Sequence, residues 1–312
     1  MKVALCGAWH VHAEGYFDRA AVLGEIAGVW DADPERCREF AEKKGVKAFA
    51  SFEELLESDA QGVIVATATD LHTELIVRLA EAGKHIFTEK VLALSDEDCD
   101  RIARAVEENH VNFVISLPQK YVGSRMAVQK IAASGELGKL NYLRFRNCHS
   151  GSVDNWLPAH FYDLKQCGGG AMIDLGAHGM YLTDWICGAP DSYRSVFTLA
   201  NENERNRDRV EDNAVTVMGY ENGCIAINET GFVSKGCPAM LEVGGDRGYV
   251  RMDDRGIVKS TATTGYEAVA VEPEPDLPSP IDQFLTGRIL PGCGIAEAVR
   301  LTHMMVMAYQ NQ

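Results

Sequence analysis

The sequence lacks any long hydrophobic run. No apolar stretch among its 312 residues approaches the roughly 20 residues that a membrane-spanning helix requires. Residues 1–6 form an apolar run that is too short for a signal peptide and is typical of a strand. Positive charge is also scarce, because 30 lysines and arginines stand against 45 aspartates and glutamates, a formal net charge of −15. This balance argues against nucleic acid and anionic membranes as partners.

Paired cysteines are also missing. The nine cysteines are an odd number, and no two of them form a C-x-x-C motif. Their positions are 6, 37, 99, 148, 167, 187, 224, 237 and 293. This pattern fits reduced thiols in the cytoplasm better than a disulfide framework or a structural zinc site. We therefore expect a cytoplasmic protein.

The first part of the chain, residues 1–118, has no internal repeat and alternates strand-like with helix-like segments. The strand-like runs lie at 3–6, 26–31, 62–66, 85–88 and 111–117. Helix starts between them carry capping signals, such as Asp33 before Pro34. Because parallel strands need helical crossovers, this pattern predicts an α/β domain with a doubly wound parallel sheet.

The remaining residues, 119–312, follow a different pattern and are predicted to form an α+β domain. Strand-like runs follow one another near 140–147, 193–200, 213–220, 223–233, 238–244 and 248–252. Consecutive, hairpin-like strands predict a mostly antiparallel sheet. Helices are expected at 124–133, 171–186 and 294–309. The proline-rich segment 272–280 should hold no regular element.

The first strand leads into a glycine turn that partly matches a dinucleotide-binding motif. That motif is G-x-G-x-x-G, with an acid about 20 residues later. Gly7 keeps the first glycine, but Trp9 and His12 replace the other two, and Trp9 is expected to push a pyrophosphate away from the backbone. Asp31 ends the second strand, where its carboxylate would hold ribose hydroxyls or cap nearby amides.

His10 and His12 have the spacing of a metal-binding pair. No carboxylate nearby in the sequence completes a site, so we predict no metal here. Instead we expect both histidines beside the phosphates of a dinucleotide.

Polar residues also follow two later strands, Thr67 and His72 after one and Glu89 and Lys90 after the other. In doubly wound sheets, ligands bind outside the carboxyl ends of the strands. Lys90 is therefore placed to donate to a substrate oxygen and to stabilise negative charge. His72 contacts either the cofactor region or nearby backbone.

Three glycines, Gly168–Gly170, run into an apolar pattern that carries Asp174 and His178. Glycines at a helix start let the backbone approach a ligand closely. Four residues apart on a helix, the carboxylate and the imidazole would share a face. Such a pair on an apolar helix is either a hydrogen bond in the core or part of an active site.

Together these segments identify a family. The chain resembles the Gfo/Idh/MocA oxidoreductases, named for glucose–fructose oxidoreductase and inositol dehydrogenase. The strongest matches are Gly62–His72, Ala82–Lys90 and Gly168–His178, and weaker ones lie at 210–214, 220–223 and 241–248. They occur in the family's order over nearly the whole chain.

The resemblance implies an N-terminal Rossmann domain and a C-terminal domain with a large open sheet through which family members often pair as homodimers or homotetramers. It implies a catalytic set of Lys90, Asp174 and His178. The chain departs from the family at the glycine turn and at Val91, which replaces the proline after Lys90. Plausible substrate-side residues are Tyr121, Trp156, His160, Tyr162 and Asp163.

We therefore expect an NAD(P)-dependent oxidoreductase that acts on a hydroxyl or keto group of a sugar, a cyclitol or a related small molecule. NAD is favoured over NADP, because no basic side chain follows Asp31 until Arg36. Two alternatives stay open: a non-catalytic dinucleotide-binding sensor, and a glycosidase that uses NAD in a transient oxidation.

Overall fold

The computed structural model describes all residues, 1–312, and divides the chain into two compact units. The first contains 1–117 and 278–302, and the second contains 118–277 and 303–312. The sequence prediction of domains at 1–118 and 119–312 did not anticipate that 278–302 belongs to the first unit. None of the helices combines the length and the hydropathy that crossing a membrane requires.

The first unit is built on a five-stranded parallel sheet, which confirms the predicted Rossmann-type fold. Its strands are β1 (Lys2–Cys6), β2 (Glu25–Trp30), β3 (Gly62–Val65), β4 (His85–Thr88) and β5 (Phe113–Ile115), in the order β2-β1-β3-β4-β5. The helices between them are α1 (Ala13–Leu23), α2 (Pro34–Lys44), α3 (Phe52–Glu57), α4 (His72–Glu81) and α5 (Asp96–Glu108). The order reverses beside β1, which creates a crevice at the carboxyl ends of β1 and β3.

The capping signals of the sequence produce the expected helix starts. The Asp33 carboxylate accepts hydrogen bonds from the N–H groups of Glu35 and Arg36 at the start of α2. The Ser51 hydroxyl does the same for Glu54 at the start of α3. Each cap satisfies backbone donors that have no partner inside the helix.

The second unit holds an eight-stranded, mostly antiparallel sheet, as predicted. Its strands are β6 (Leu140–Cys148), β7 (Ser192–Thr198), β8 (Asn213–Gly219), β9 (Ile225–Gly231), β10 (Met240–Gly245), β11 (Gly248–Asp253), β12 (Gly256–Thr261) and β13 (Val269–Val271). Their order is β13-β12-β11-β10-β6-β9-β8-β7. The pair β6–β9 is parallel, which the sequence pattern did not reveal.

The helices of the second unit are α6 (Gly123–Ala133), the short α7 (Leu164–Cys167) and α8 (Ala177–Cys187). The single helix predicted at 171–186 is wrong in detail, because Met172–Gly176 forms a π-helical turn that leads into α8. Single π turns inside helices are frequent at functional sites. α8 packs against β6 and β9 of the sheet.

The end of the chain adds α9 (Pro280–Thr286) and α10 (Ile295–Gln310). The expectation that 272–280 holds no regular element fails at its last residue, because Pro280 is the first residue of α9. Proline is tolerated there, since its missing N–H would have no helical partner. Within the first unit α9 packs against α1 and β5.

Candidate functional site

The turn after β1 brings backbone and an unsatisfied hydroxyl together at the crevice. Gly7 has φ +92°, and a Cβ added to it would lie 2.4 Å from Thr67 Cγ2. Only glycine fits this close approach of two strand ends. Thr67 is 3% exposed, and its Oγ1 is buried with no hydrogen-bond partner within the protein. A buried hydroxyl of this kind calls for a ligand or water.

Two other residues of this region, Trp9 and His72, are buried. Trp9, which was expected to obstruct the turn, is a buried side chain with 9% exposure. His72 is completely buried, and its Nδ1 lies 3.1 Å from the carbonyl oxygen of Leu92. Burial lowers the pKa of His72, so the neutral ring donates from Nδ1 and holds the backbone that follows Lys90.

Asp31 is a buried acceptor at the end of β2. Its Oδ2 accepts the N–H of Ala8 at 2.7 Å, and its Oδ1 accepts that of Asp33 at 2.8 Å. The guanidinium of Arg36 adds two bonds, at 2.8 and 2.6 Å. The carboxylate therefore links the glycine turn to α2, and the Arg36 guanidinium is paired with it.

His10 and His12 converge on the carboxylate of Glu89. His12 Nδ1 lies 2.8 Å and His10 Nδ1 3.8 Å from Glu89 Oε1. The sequence argument that no carboxylate completes this group is wrong, because the ends of β1 and β4 reach the same edge of the sheet. His10 and Glu89 are buried, whereas the side chain of His12 is 56% exposed.

Glu89 also links this turn to Lys90. Its Oε2 accepts the N–H of Lys90 at 3.1 Å, and its Oε1 accepts the Tyr16 hydroxyl. Burial raises the pKa of Glu89, but the charges of His10, His12 and Lys90 outweigh burial and leave the pKa below its usual value. Lys90 itself is 8% exposed, and the Lys90–Val91 peptide bond is cis.

In the second unit, the π turn that carries Asp174 is fixed at its start. The Glu211 carboxylate accepts the N–H groups of Gly170 and Met172, both at 3.0 Å. The Tyr309 hydroxyl donates to Glu211 at 2.6 Å and accepts the N–H of Ile173 at 3.1 Å. A Cβ on Gly170 would lie 1.9 Å from the carbonyl oxygen of Glu211, so this glycine serves close packing.

His178 follows the π turn on α8, and both His178 and Asp174 are half-buried. Its Nδ1 lies 2.8 Å from the hydroxyl of Tyr181, which also accepts the N–H of Gln119 at 3.2 Å. Tyr181 therefore fixes the orientation of the imidazole through Nδ1.

The sequence analysis missed His149, at the end of strand β6. Its ring stacks on Phe232 with centroids 4.9 Å apart and an interplanar angle of 8°. Its Nδ1 accepts the N–H of Gly151 at 3.0 Å, which places the proton of the neutral ring on Nε2. Burial lowers the pKa of His149, and the charge of nearby Asp174 opposes that shift. Only the electrostatic influence of Asp174 in the folded chain reveals this residue.

The five expected substrate-side residues fall into different environments. Tyr121 is 5% and Tyr162 1% exposed, and Tyr162 belongs to a hydrophobic cluster with Phe232. The ring of Tyr162 therefore packs in a core cluster, and the residue also belongs to the lining of the cavity that contains His160 and Asp163. Its place on the substrate side stays a prediction. Trp156 is 55% exposed, and its ring centroid is 4.6 Å from that of His149.

His160 and Asp163 line a separate cavity of about 540 Å³ together with two arginines of the loop before β8, Arg205 and Arg207. Asp163 also caps α7 by accepting the N–H of Gln166 at 2.9 Å. This helix cap accounts for an aspartate at position 163 without any contact to a substrate.

Comparison with the sequence profiles of protein families gives two matches. The Gfo/Idh/MocA profile, described as an oxidoreductase family with an NAD-binding Rossmann fold, matches residues 1–116. The profile of the Gfo/Idh/MocA C-terminal domain matches residues 126–251. Together they cover more than half of the chain.

Individual relatives are distant. An uncharacterized oxidoreductase of Streptococcus pneumoniae is 27% identical over 228 residues, which cover 71% of this chain and 60% of that protein. The myo-inositol 2-dehydrogenase of Thermotoga maritima is 27% identical over 235 residues, which cover 73% of this chain and 68% of that protein. The WlbA dehydrogenase of Bordetella pertussis, solved with NADH and UDP-GlcNAcA, has a similar fold: its TM-score is 0.79 at 19% identity, over 100% of this chain and 96% of that one.

Proposed function

Because the chain belongs to the Gfo/Idh/MocA family of NAD-binding oxidoreductases, we propose that it transfers hydride between NAD and a hydroxyl or keto group of a sugar, a cyclitol or a related small molecule. The observation that carries this proposal is the environment of His178, whose Nδ1 is held by Tyr181 on the helix that follows Asp174. A half-buried imidazole fixed through one nitrogen is suited to act as a general base through the other.

The residues of the first unit fit a dinucleotide. Gly7 lets the ends of β1 and β3 approach each other closely, and the buried Thr67 hydroxyl beside it offers a polar partner. Phosphates would lie against the N-terminus of α1, beside His10 and His12, where the positive end of the helix dipole favours an anion. When bound, the nicotinamide accepts or returns the hydride.

NAD is favoured over NADP by the pair formed by Asp31 and Arg36. A 2′-phosphate at the end of β2 would meet the Asp31 carboxylate, and the Arg36 guanidinium is already bound to that carboxylate by two hydrogen bonds. A free 2′-hydroxyl instead donates to a carboxylate.

The proposed chemistry divides among three residues. In the oxidation direction, His178 Nε2 takes the proton of the reacting hydroxyl, and the Lys90 ammonium donates to the same oxygen as negative charge develops. Asp174 accepts a hydrogen bond from a neighbouring substrate hydroxyl. His72 and Glu89 act as positioning residues, because they hold the backbone on either side of Lys90.

The substrate class follows from the polar and aromatic groups around Asp174. A carboxylate acceptor, the Nε2 donor of His149 and the exposed ring of Trp156 suit a molecule with adjacent hydroxyls on a compact ring. The similarity to a myo-inositol 2-dehydrogenase supports the same class.

We also propose a cytoplasmic homodimer or homotetramer that pairs through the sheet of the second unit. The exposed apolar side chains Val196, Val217 and Ile225, on β7, β8 and β9, support this proposal, as exposed apolar patches on a sheet face are typical of interfaces. All nine cysteines are free thiols, which supports a reducing compartment. Light scattering on the purified protein measures its mass in solution.

A screen of cyclitols, sugars and their keto forms with NAD and NADH tests the proposed reaction. We expect a change in NADH absorbance with at least one cyclitol or sugar. Tight NAD binding with no redox change for any compound would contradict the proposal and favour a sensor. Turnover of a glycoside that leaves the NAD redox state unchanged would favour a glycosidase.

A further inference from the structure

We infer that His10, His12 and Glu89 form a binding site for one divalent transition-metal ion of the Zn²⁺ class. Each residue contributes one ligand atom, and the three atoms lie within 4.8 Å of one another. Two imidazoles and one carboxylate are a donor set that Zn²⁺ and related ions prefer.

The distances suit a single ion. Two ligands of a tetrahedral Zn²⁺ are about 3.3 Å apart, given metal–ligand bonds of about 2.0 to 2.1 Å. The separations from Glu89 Oε1 are 2.8 Å to His12 Nδ1 and 3.8 Å to His10 Nδ1, on either side of that value. All three ligand atoms lie within 4.8 Å of one another, so shifts of up to about 1.5 Å bring them into one coordination shell. On binding, His10 Nδ1 exchanges the N–H of His12, which it accepts at 3.2 Å, for the ion.

The backbone around the group holds it in place. The N–H of His10 donates to the carbonyl of Ala66 at 3.0 Å, and that of Glu89 donates to Val65 at 3.2 Å. The hydroxyl of Tyr16 and the N–H of Lys90 bind the Glu89 carboxylate. Metal-ligating carboxylates are typically oriented by such outer hydrogen bonds.

One side of the group is open to solvent. His10 is 8% and Glu89 2% exposed, but the His12 side chain is 56% exposed. An ion can reach the group past His12, and three protein ligands leave a fourth position for water or an anionic oxygen. His12 is the N-cap of α1, so that position lies near the proposed phosphates of the dinucleotide.

Metal titration of the full chain without cofactor tests this inference independently of the proposed reaction. After treatment with a chelator, the protein is titrated with Zn²⁺ by calorimetry and with Co²⁺ by visible absorption. We expect one ion per chain, and a Co²⁺ spectrum without a thiolate charge-transfer band, because no cysteine is a ligand.

Two variants locate the ion. His12→Ala removes an exposed ligand, and Glu89→Gln removes the charge while keeping the shape of the side chain. Each should weaken Zn²⁺ binding by at least tenfold, with folding checked by circular dichroism. His110→Asn is the matched control, since His110 is exposed, lies outside the group and has φ +54°, which asparagine tolerates.

Three results would overturn the inference. They are the absence of saturable 1:1 binding, unchanged Zn²⁺ affinity in His12→Ala, and a thiolate band in the Co²⁺ spectrum. If Glu89→Gln does not fold, His12→Ala decides the question, since that side chain is largely outside the core.

Discussion

At the scale of single residues, the proposed cofactor and substrate sites both rely on paired side chains. Asp31 is held by Arg36 and by the N–H of Ala8, and His178 is held by Tyr181. Each pair orients one functional group: Arg36 makes two hydrogen bonds to the Asp31 carboxylate, and Tyr181 makes one to His178. Substitution of the two partners, Arg36 and Tyr181, therefore tests the proposed sites as well as substitution of Asp31 and His178 does.

Asp31→Ala should narrow the preference for NADH over NADPH. The substitution removes the acceptor for the ribose hydroxyls and releases the Arg36 guanidinium, which can then bind a 2′-phosphate. We expect NADH affinity to fall roughly tenfold, about 1.4 kcal/mol, and NADPH affinity to fall less or to rise. Calorimetric titration with both cofactors measures the change.

Asp33→Ala is the control for that change, because it removes the cap of α2 and the 3.6 Å ion pair between Asp33 and Arg36 but keeps both hydrogen bonds between Arg36 and Asp31. It should lower stability by about 1 kcal/mol and leave the cofactor preference intact. Equal losses of NADH affinity in both variants would show that Asp31 only supports the turn.

Tyr181→Phe should slow turnover by roughly tenfold and change the pH profile of kcat. Without the hydroxyl, His178 Nδ1 loses the partner that fixes the ring and its tautomer. KM should change less than kcat, since Tyr181 is 2% exposed and is not expected to touch substrate. A variant whose kcat and pH profile both match the wild type would contradict this role.

At the scale of elements, partly buried carboxylates join segments that are distant in sequence. Glu211 fixes the start of the π turn, and Glu136 joins the segment after α6 to β12. Glu136 accepts bonds from Lys259 at 2.8 Å, from Thr261 at 2.8 Å and from Thr263 at 2.5 Å. These contacts predict a measurable dependence of stability on pH.

Glu136→Gln should destabilise the protein at neutral pH and have less effect in acid. The bond from Lys259, followed by those from Thr263 and Thr261, lowers the pKa of Glu136 from 4.5 to about 2. A lowered pKa in the folded state adds stability that is complete above pH 4.5 and is lost as the pH falls toward 2. The variant should therefore lose about 1 to 3 kcal/mol at pH 7 and progressively less below pH 4.5.

Denaturant unfolding at several pH values measures this difference, with Glu108→Gln, an exposed position of α5, as the control. If the difference between wild type and Glu136→Gln is the same at pH 7 and pH 3, the carboxylate does not titrate as described.

At the scale of the whole molecule, local sequence patterns predicted the parallel sheet of the first unit. They did not predict which strands pair over long sequence separations. The βαβ order and the caps at Asp33 and Ser51 depend on neighbouring residues and were predictable. The parallel pair β6–β9 joins segments about 80 residues apart, and no local pattern specifies it. The assignment of α9 to the first unit is equally non-local.

The candidate site shows the same limit. The family resemblance predicted Lys90, Asp174 and His178 as catalytic residues without information on their contacts in the folded protein. The approach of Glu89 to His12 and the charge interaction between His149 and Asp174 depend on how strand ends and loops meet. Tyr162 gives a further example, since the sequence does not distinguish an aromatic ring in a core cluster from one that faces a substrate.

The central claim is that this chain is an NAD-dependent oxidoreductase whose Lys90 and His178 act on one substrate oxygen. Lys90→Met tests it most directly, because it removes the charge and keeps most of the apolar stem. The experiment uses a substrate found in the screen. It compares NADH affinity, thermal unfolding midpoint and kcat between Lys90→Met and the wild type. Lys130→Met on the surface of α6 is the matched control.

We predict that Lys90→Met binds NADH within a few-fold of the wild type, unfolds at nearly the same temperature and loses roughly 10²-fold or more in kcat. His178→Asn should behave in the same way, and Lys130→Met should keep full turnover. Wild-type turnover in a folded Lys90→Met variant that binds NADH would contradict the account.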